Sequence, residues 1–524
     1  MFRTPAPRRG LYLGNVPQQA AADHPDTPIT LDHDLHALPK APRHFTLAEL
    51  ADHVDDLAAR LWAAGIRPSE HVALYKAQNF DIYLLACAAA RIGAVPALLS
   101  PALDGATVGA LLRRLERPHL ITDDDKLSGD LAGLPLDELA GQVVTVGEGV
   151  RRGVSLADLA GAPRRAPVRL HADHPALMTH TSGTTGVPKL VVHTARSLQG
   201  RLRPQTGLAS LIRTRETYAV HLSYVHSRMY MALAVALPKG MPVVVLNDGS
   251  AGHAADVFAR TRPGFLETHP NSFMEWEELA DDPRGPLSNV KYFNGTFDAL
   301  HPPTMRKLLG ASRRDNPLFF QFYGQSECGP LVGRWYTRKN VHKADGRCLG
   351  FTIPGMTRVR IVGRDGTRPT RKNPGLIEVQ SEGRAVTYYA EEERYAKECH
   401  GSWWRTGDVG YRTPLGCVHL LDREVDVIPG IDSTLEVEDT VLGRLEELSE
   451  LVLVPGPDKE PLPVVCTRHN EPLDRERWRT AVADFPQLAD PVQMPLSELP
   501  RTATMKVQRI ELARRLREQR ERAA

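Results

Sequence analysis

The chain has 524 residues, of which 42% are hydrophobic and 24% are charged. This length exceeds what one hydrophobic core usually supports, so we expect a globular protein of two or more domains. Lys and Arg together number 65 and Asp and Glu number 63, which gives a net charge of +2. Such a balance gives no reason to expect nucleic acid or an acidic membrane surface as the partner.

The six cysteines are scattered along the chain and form no Cys-x-x-Cys pair. We therefore expect reduced thiols in a cytoplasmic protein, with neither a zinc site nor a disulfide framework. The N-terminal segment contains basic side chains but no apolar run of signal-peptide length. The most membrane-like stretch, 82–103, is interrupted by Arg91, Gly93 and prolines. We expect a buried helix followed by a buried strand there, and no membrane span.

In chain order, the first clear element is a helix, because apolar residues recur at helical spacing from Leu47 to Leu61 and Gly65 ends the pattern. The segment HVALYKA (71–77) then has the composition of a strand. DIYLLACAAARIGAV predicts a second helix, and PALLSP, PHLITDD, VVTV and PALMTH predict further strands. This alternation predicts an α/β fold with largely parallel sheets.

After about residue 345 the pattern changes to short strand-like runs separated by Gly, Pro and Asp, which predicts a β-rich subdomain over 345–422. Beyond it, LVLVPGPD and PLPVVCTRH predict strands, and helices are expected at LEVEDTVLGRLEEL and from Lys506 onward. We place a domain boundary near Asp422–Asp426. The predicted organisation is a large N-terminal domain, 1–422, and a small C-terminal α+β domain, 423–524.

A run of small and hydroxyl-bearing residues follows the strand PALMTH and ends in a lysine. Small residues let backbone N–H groups approach an anion, hydroxyls donate to its oxygens, and a lysine adds a compact charge. The spacing differs from that of the P-loop of common NTPases. The run therefore predicts a phosphate-binding loop of another nucleotide fold, formed by Thr181, Ser182, Gly183, Thr184, Thr185, Gly186 and Lys189.

Further motifs follow at wide intervals: QFYGQSECG (321–329), WWRTGD (403–408), DREVDVIPG (422–430) and LPRTATMKVQR (499–509). With the loop at 181–189, and in this order, they resemble the adenylate-forming superfamily. That superfamily includes acyl- and aryl-CoA synthetases, luciferases and the adenylation domains of nonribosomal peptide synthetases. The resemblance extends from about Phe45 to about Leu512. Each motif alone would be weak, but an ordered set ending in a lysine is specific.

The resemblance implies roles for the nucleotide-binding residues. The loop from Thr181 to Lys189 would lie over the β- and γ-phosphates of ATP, with Thr181 close to the reaction. Glu327 would hold Mg²⁺, a hard cation suited to a carboxylate and phosphate oxygens. The remaining nucleotide contacts would come from Gly295, Thr296, Tyr323 (stacked on adenine), Gly324, Ser326 (on phosphate), Asp408 (on both ribose hydroxyls) and Arg423 (on ribose or phosphate).

Two further residues would act in catalysis by the same resemblance. Lys506 resembles the mobile lysine that stabilises the pentavalent α-phosphate. His226, in HLSYVHSRMYM (221–231), takes the position that gates the acid site in the family. A histidine at this place could equally be a buried structural residue.

The sequence departs from the family pattern mainly around the second half-reaction. The hinge reads Asp422-Arg423-Glu424-Val425-Asp426, so Val425 replaces an acid, and the loop after it is short and lacks paired glycines. Near the catalytic lysine the usual glycine is Met505, and near His226 a small residue is Met229, with Arg228 beside it. Either these positions have drifted in a working CoA ligase, or CoA is not used.

The implied function is ATP-dependent adenylation of a small acyl or aryl acid, with release of pyrophosphate and transfer to CoA. The alternative is an adenylating ligase that does not use CoA. It would transfer to an amine or to the thiol of a carrier protein, or activate an inorganic acid such as nitrite for diazo formation. A non-catalytic nucleotide-binding protein is the third possibility. The expected ligands are ATP, Mg²⁺ and CoA, and the sequence leaves the oligomeric state open.

Overall fold

The structure is a computed structural model, and it describes residues 10–147, 152–181, 187–296, 300–363, 366–456, 459–501 and 507–523. Six of the sequence-predicted site residues lie outside these ranges. They are Lys506 and the phosphate-loop residues Ser182, Gly183, Thr184, Thr185 and Gly186.

The α-helices are α1 Val16–Asp23, α2 Leu47–Ala63, α3 Asp81–Arg91, α4 Gly105–Arg114, α5 Asp124–Ser128, α6 Leu136–Leu139, α7 Ala195–Ala209, α8 Ser227–Ala236, α9 Ala251–Thr261, α10 Pro270–Glu275, α11 Pro302–Ala311, α12 Glu392–Ala396, α13 Thr434–Arg444, α14 Arg475–Ala481 and α15 Arg509–Ala523.

The strands are β1 Pro28–Leu31, β2 His44–Thr46, β3 His71–Leu74, β4 Val95–Leu98, β5 His119–Asp123, β6 Gln142–Val146, β7 Val154–Ser155, β8 Pro175–His180, β9 Leu190–Thr194, β10 Tyr218–His221, β11 Val243–Val245, β12 Phe265–Thr268, β13 Tyr292–Gly295, β14 Leu318–Gln325, β15 Gly329–Tyr336, β16 Cys348–Thr352, β17 Thr357–Val362, β18 Gly375–Ser381, β19 Thr387–Tyr388, β20 Cys399–His400, β21 Trp403–Arg412, β22 Val418–Arg423, β23 Leu448–Pro455, β24 Pro461–Thr467 and β25 Val492–Gln493.

Two large sheets and one small sheet organise these strands. The first has the order β19-β9-β8-β4-β3-β5-β6-β7, and the second runs β17-β18-β21-β22-β16-β15-β14-β13-β12-β10-β11-β1-β2. The small sheet has the order β23-β24-β25. Strands β3 to β6 pair in parallel, as do β10 to β14, so the predicted α/β class with parallel sheets is confirmed.

The first predicted helix forms where the sequence indicates it. Thr46 caps α2 through a capping box with Glu49, which satisfies backbone N–H groups that the helix start would otherwise leave unpaired. Leu47, Leu57 and the other apolar residues of the pattern are fully buried against the neighbouring helices and sheet. The helix therefore forms because local capping and its apolar face agree.

The β-rich segment after residue 345 extends the second large sheet. Strand β16 pairs with β15 on one side and with β22 on the other, which joins β17, β18 and β21 to the parallel strands. Strand β19 instead pairs with β9 of the first sheet. The pairing of β19 with β9 brings this segment beside Lys189, whose Nζ lies 3.4 Å from the Tyr388 hydroxyl.

The C-terminal residues form a separate small sheet with helices packed on it. Apolar side chains of α13 and α14, among them Val441 and Trp478, pack with β23 and β24, and Leu512 of α15 packs on the same strands. This agrees with the expected α+β composition. The division at Asp422–Asp426 remains a prediction.

The expectation that all cysteines are free thiols is wrong for one pair. Cys348 and Cys417 form a disulfide, with their Cα atoms 6.9 Å apart. The pairing arises because β16 and β22 lie side by side, with Cys348 opposite His419. The two cysteines are 69 residues apart in sequence, so their proximity in space could not be predicted. The His419 ring lies beside this pair, so the three side chains would form a candidate metal-binding group only with both cysteines reduced, a cluster that the sequence did not suggest.

Among the described residues, no helix is both long and apolar enough to cross a membrane.

Candidate active site

A cavity of about 970 Å³ brings together most of the described site residues that the sequence predicted. It lies where the carboxyl ends of β8 and β13 and the strand β14 meet β21, β22 and the C-terminal segment. Gly295 is not part of its wall, although the next residue is. The predicted residues that line it are Thr181, Lys189, His226, Thr296, Tyr323, Gly324, Ser326, Glu327, Asp408 and Arg423.

The two ends of the predicted phosphate loop are held together. Thr181 follows β8 and donates its backbone N–H to the carbonyl of Lys189, at 3.0 Å, just before β9 begins. The hydroxyl of Thr181 is buried and has no hydrogen-bond partner among the described residues. A buried polar group without a partner is costly, so this hydroxyl is suited to a ligand oxygen.

Glu327, the predicted metal ligand, is connected to Lys189 through Tyr388. The Tyr388 hydroxyl donates to Glu327 Oε1 at 2.6 Å, and Lys189 Nζ lies 3.4 Å from the same hydroxyl and 4.6 Å above the ring. Burial lowers the pKa of Lys189, although the negative charge of Glu327 opposes this change. The arrangement fits a carboxylate that binds a hard cation.

A buried arginine lies beside this group. Arg201 is 2% exposed and donates to the carbonyls of Gly383 and Ser326, both at 2.7 Å, and to the Ser227 hydroxyl at 3.4 Å. Within the described part of the chain no carboxylate is paired with it. Burial lowers its pKa to about 10, so it remains charged at neutral pH. Arg201 therefore places a positive charge beside the predicted phosphate end, where the charge of Glu327 acts on it without a direct ion pair.

The predicted ribose end is a hydrogen-bonded group around Asp408. The Tyr323 hydroxyl donates to the Asp408 carboxylate, Gln325 Nε2 donates to its Oδ2 at 3.3 Å, and Arg423 Nε lies 3.5 Å from Oδ1. Asp408 and Arg423 are register partners on β21 and β22, which explains why motifs separated in sequence converge here. Gly324 is required in this hairpin, since a Cβ there would lie 2.3 Å from the Gly329 carbonyl oxygen.

Thr296, after β13, adds a second unpartnered hydroxyl. The residue is 7% exposed, and its Oγ1 has no hydrogen-bond partner among the described residues. Gly295 ends β13, and a Cβ there would contact the Phe319 ring at 3.2 Å. The glycine thus lets the strand end close to the aromatic core while Thr296 faces the cavity.

His226 lies at the start of α8. Its Nδ1 accepts the backbone N–H of Arg228 at 3.0 Å, so in the neutral ring the proton is on Nε2. Burial lowers the pKa of His226 well below its usual value, and nearby basic side chains, Arg201 among them, add to this effect. The ring is therefore neutral at physiological pH.

The predicted hinge has an exposed valine between two anchored residues. Val425 is 65% exposed. Asp422 accepts the backbone N–H of Thr434 at the start of α13, at 3.1 Å, and burial raises its pKa to about 6. Asp426 lies 3.9 Å from Arg509 of α15.

Several residues of the cavity were missed by sequence reasoning. Gln325 lies inside the motif QFYGQSECG but received no role, and Arg201 and Tyr388 lie outside the recognised motifs and act through partners that are distant in sequence. The sequence indicated only that Arg228 is unusual at its position, and it gave no indication that Glu267 is its partner. The available signal was Arg228 itself, a charged residue directly before the apolar run MYMALAVA (229–236), because such residues rarely lie in a core without a partner.

Comparisons with known proteins agree with this geometry. Residues 17–389 match the family model described as AMP-binding enzyme. The chain is 49% identical to 3-amino-2-hydroxy-4-methoxybenzoate diazotase of Streptomyces cremeus over 96% of this chain and 95% of the relative. It is 26% identical to 3-aminoavenalumate diazotase of a Streptomyces species, over 79% of this chain and 74% of that relative. The solved structure of the amide bond synthetase McbA from Marinactinospora thermotolerans has a TM-score of 0.78 at 20% identity, covering 95% of this chain and 99% of that one.

The chain therefore belongs to the AMP-binding enzyme family, and it is an adenylate-forming enzyme that uses ATP. The resemblance drawn from the motifs is confirmed. Within that class, the 49% identical relative supports the alternative of an adenylating ligase that does not use CoA better than it supports transfer to CoA. The expected transfer to CoA is thus supported less well than its alternative, and it stays a prediction.

Proposed function

We propose that this protein is an ATP-dependent diazotase that activates nitrite and transfers its nitrogen to the amino group of an aromatic acid. The observation that carries the proposal is the 49% identity to an aminobenzoate diazotase along nearly the whole chain. The altered hinge and the short loop that follows the hinge also support the proposal, because a diazotase has no need of the thioester half-reaction. The cytoplasmic location expected from the sequence is compatible with the proposal, because ATP is supplied in the cytoplasm.

The proposed reaction balances without an added oxidant or reductant. A nitrite oxygen attacks the α-phosphorus of ATP, which forms an O–P bond and releases pyrophosphate. The amine nitrogen then attacks the nitrosyl nitrogen, the N–O bond to AMP breaks, and the amine loses a proton. The resulting nitrosamine tautomerises, takes up that proton and loses water to give the diazonium ion. One nitrite oxygen leaves on AMP and the other leaves as water.

In this proposal, the site residues that the structure describes have the following roles. Thr181 and Lys189 bind the departing phosphates, and catalysis rests on positioning and on stabilising charge. Glu327 would hold Mg²⁺, which neutralises phosphate charge when bound. Arg201 supplies a fixed positive charge for the nitrite anion.

The remaining contacts position the nucleotide and the incoming amine. Asp408 and Arg423 hold the ribose, with Tyr323 beside the base. His226 is neutral, so it does not compete for an anion as a second cation would. We also retain as proposals Lys506 at the α-phosphate and a mobile C-terminal domain, 423–524.

The test is to incubate the protein with ATP, Mg²⁺, nitrite and an aminohydroxybenzoate at a pH slightly above neutral. Spontaneous diazotisation is slow under these conditions. The diazonium product is trapped by azo coupling and AMP is measured in parallel. We expect equal amounts of both, with nothing above background in Lys506→Ala. AMP formed with CoA and an aromatic acid in the absence of nitrite, together with a thioester, would contradict the proposal.

A further inference from the structure

A hydrogen-bonded ion pair forms part of the cavity wall in the first turn of α8. Arg228 donates from Nε and Nη2 to the two carboxylate oxygens of Glu267, the latter at 2.7 Å, and from Nη1 to the side chain of Gln205. Tyr218 donates its hydroxyl to Glu267 Oε2 at 2.6 Å. These contacts fix the guanidinium in one orientation.

The cation of this pair, and not the anion, faces the cavity. The Arg228 side chain is 19% exposed and that of Glu267 is 0% exposed. Arg228 and Gln205 line the cavity, whereas Glu267 and Tyr218 lie behind them. A planar guanidinium held from behind is well suited to bind a carboxylate from the front.

The contact between Arg228 and Gln205 of α7 relates Arg228 to the predicted phosphate end of the cavity. Arg201 marks the predicted phosphate end through its bond to the Ser326 carbonyl. Gln205 lies four residues later on the same helix, which is about one turn, or about 5.4 Å, farther along. Arg228 bonds to Gln205, so it contacts α7 about one helical turn beyond Arg201.

Aromatic side chains line the same part of the cavity. Phe265 and Tyr292 have ring centroids 5.6 Å apart, and Tyr292 and Phe320 are stacked with centroids 6.2 Å apart. All of these residues belong to the cavity wall. They offer flat apolar surface to a planar ring beside the Arg228–Glu267 pair, since Phe265 and Tyr292 lie two residues before the level of Glu267 on neighbouring strands.

We propose that Arg228 binds the carboxylate of an amino-substituted aromatic acid, so that the amino group of the substrate points to the phosphate end. This inference rests on the proposed diazotase function. If nitrite is the acid activated beside the α-phosphate, the amine must reach the same point, and a carboxylate there would be repelled by the phosphates. The carboxylate must then lie on a part of the ring directed away from the phosphate end, and Arg228 is the cation available to it there. An enzyme that adenylates the aromatic acid itself requires the reverse orientation.

The test compares two substrates that differ only by the carboxylate, 3-amino-2-hydroxybenzoate and 2-aminophenol, by azo trapping at saturating ATP and nitrite. We expect the parent enzyme to prefer the acid by about 10- to 100-fold in kcat/KM, the range set by hydrogen bonds to a charged group. Equal use of the two amines by the parent would overturn the inference without any variant.

The variant for the test is Arg228→Gln combined with Glu267→Gln, because removing one partner alone would leave a buried charge. We expect KM for the acid to rise about 10- to 100-fold, with 2-aminophenol turnover and KM for nitrite and ATP unchanged. The control is Arg203→Gln, at an exposed arginine of α7, the helix that carries Gln205. An equal loss with both amines would overturn the role of Arg228. Absence of any nitrite-dependent AMP from the parent would instead refute the proposed function, and the inference with it.

Discussion

Asp422 should make the stability of the folded protein depend on pH in a direction unusual for an aspartate. It is 3% exposed, and burial raises its pKa from the ordinary 3.8 to about 6. A raised carboxyl pKa means that the folded state holds a proton that the unfolded state releases. The contribution to stability is therefore complete below about pH 3.8, and it is lost as pH rises through about 6. The difference corresponds to about 3 kcal/mol.

The perturbation is Asp422→Asn, which keeps a carbonyl acceptor for Thr434 and removes the charge. From about pH 4.5 to about pH 7, the free energy of unfolding of the variant should gain about 2 kcal/mol relative to the parent. Thermal unfolding midpoints measured side by side across this range report the difference. Asp432→Asn, at an exposed carboxylate of the same loop, is the control. A parent–variant difference that stays constant with pH would refute the reasoning.

Three further substitutions test the nucleotide site. Glu327→Gln should reduce turnover and weaken the response to Mg²⁺, and an unchanged Mg²⁺ titration would make Glu327 a structural residue. Asp408→Ala should mainly raise KM for ATP, because ribose contacts are equal in the ground and transition states. Discrimination against 2′-deoxy-ATP should disappear in that variant, and its persistence would contradict the ribose role. Lys506→Ala should slow nitrite-dependent pyrophosphate release by about a hundredfold or more while ATP binding remains, and activity within a few-fold of the parent would exclude the assignment.

Features of the fold and the site that depend on short, contiguous stretches of residues could be predicted from the sequence. The capped helix α2 and the alternation of strands and helices follow from periodicity and capping, which are short-range properties. The nucleotide motifs were recognisable because each is contiguous, and their convergence at Asp408 and Arg423 follows from the family fold.

Contacts between residues far apart in sequence could not be predicted. The Cys348–Cys417 disulfide depends on the pairing of β16 with β22, and the Arg228–Glu267 pair depends on α8 packing across β12. Neither has a local signature. The acceptor of the adenylate could not be predicted either, because the adenylation motifs are shared by enzymes with different acceptors.

The central claim is that nitrite, and not the aromatic carboxylate, is the acid that is adenylated. It is tested most directly with nitrite carrying a heavy oxygen isotope, at a pH where nitrite does not exchange oxygen with water. The mass of the AMP released during turnover is then measured. The account predicts that AMP gains one labelled oxygen per turnover from nitrite. Unlabelled AMP, with label entering instead from a substrate whose carboxylate carries the isotope, would contradict it.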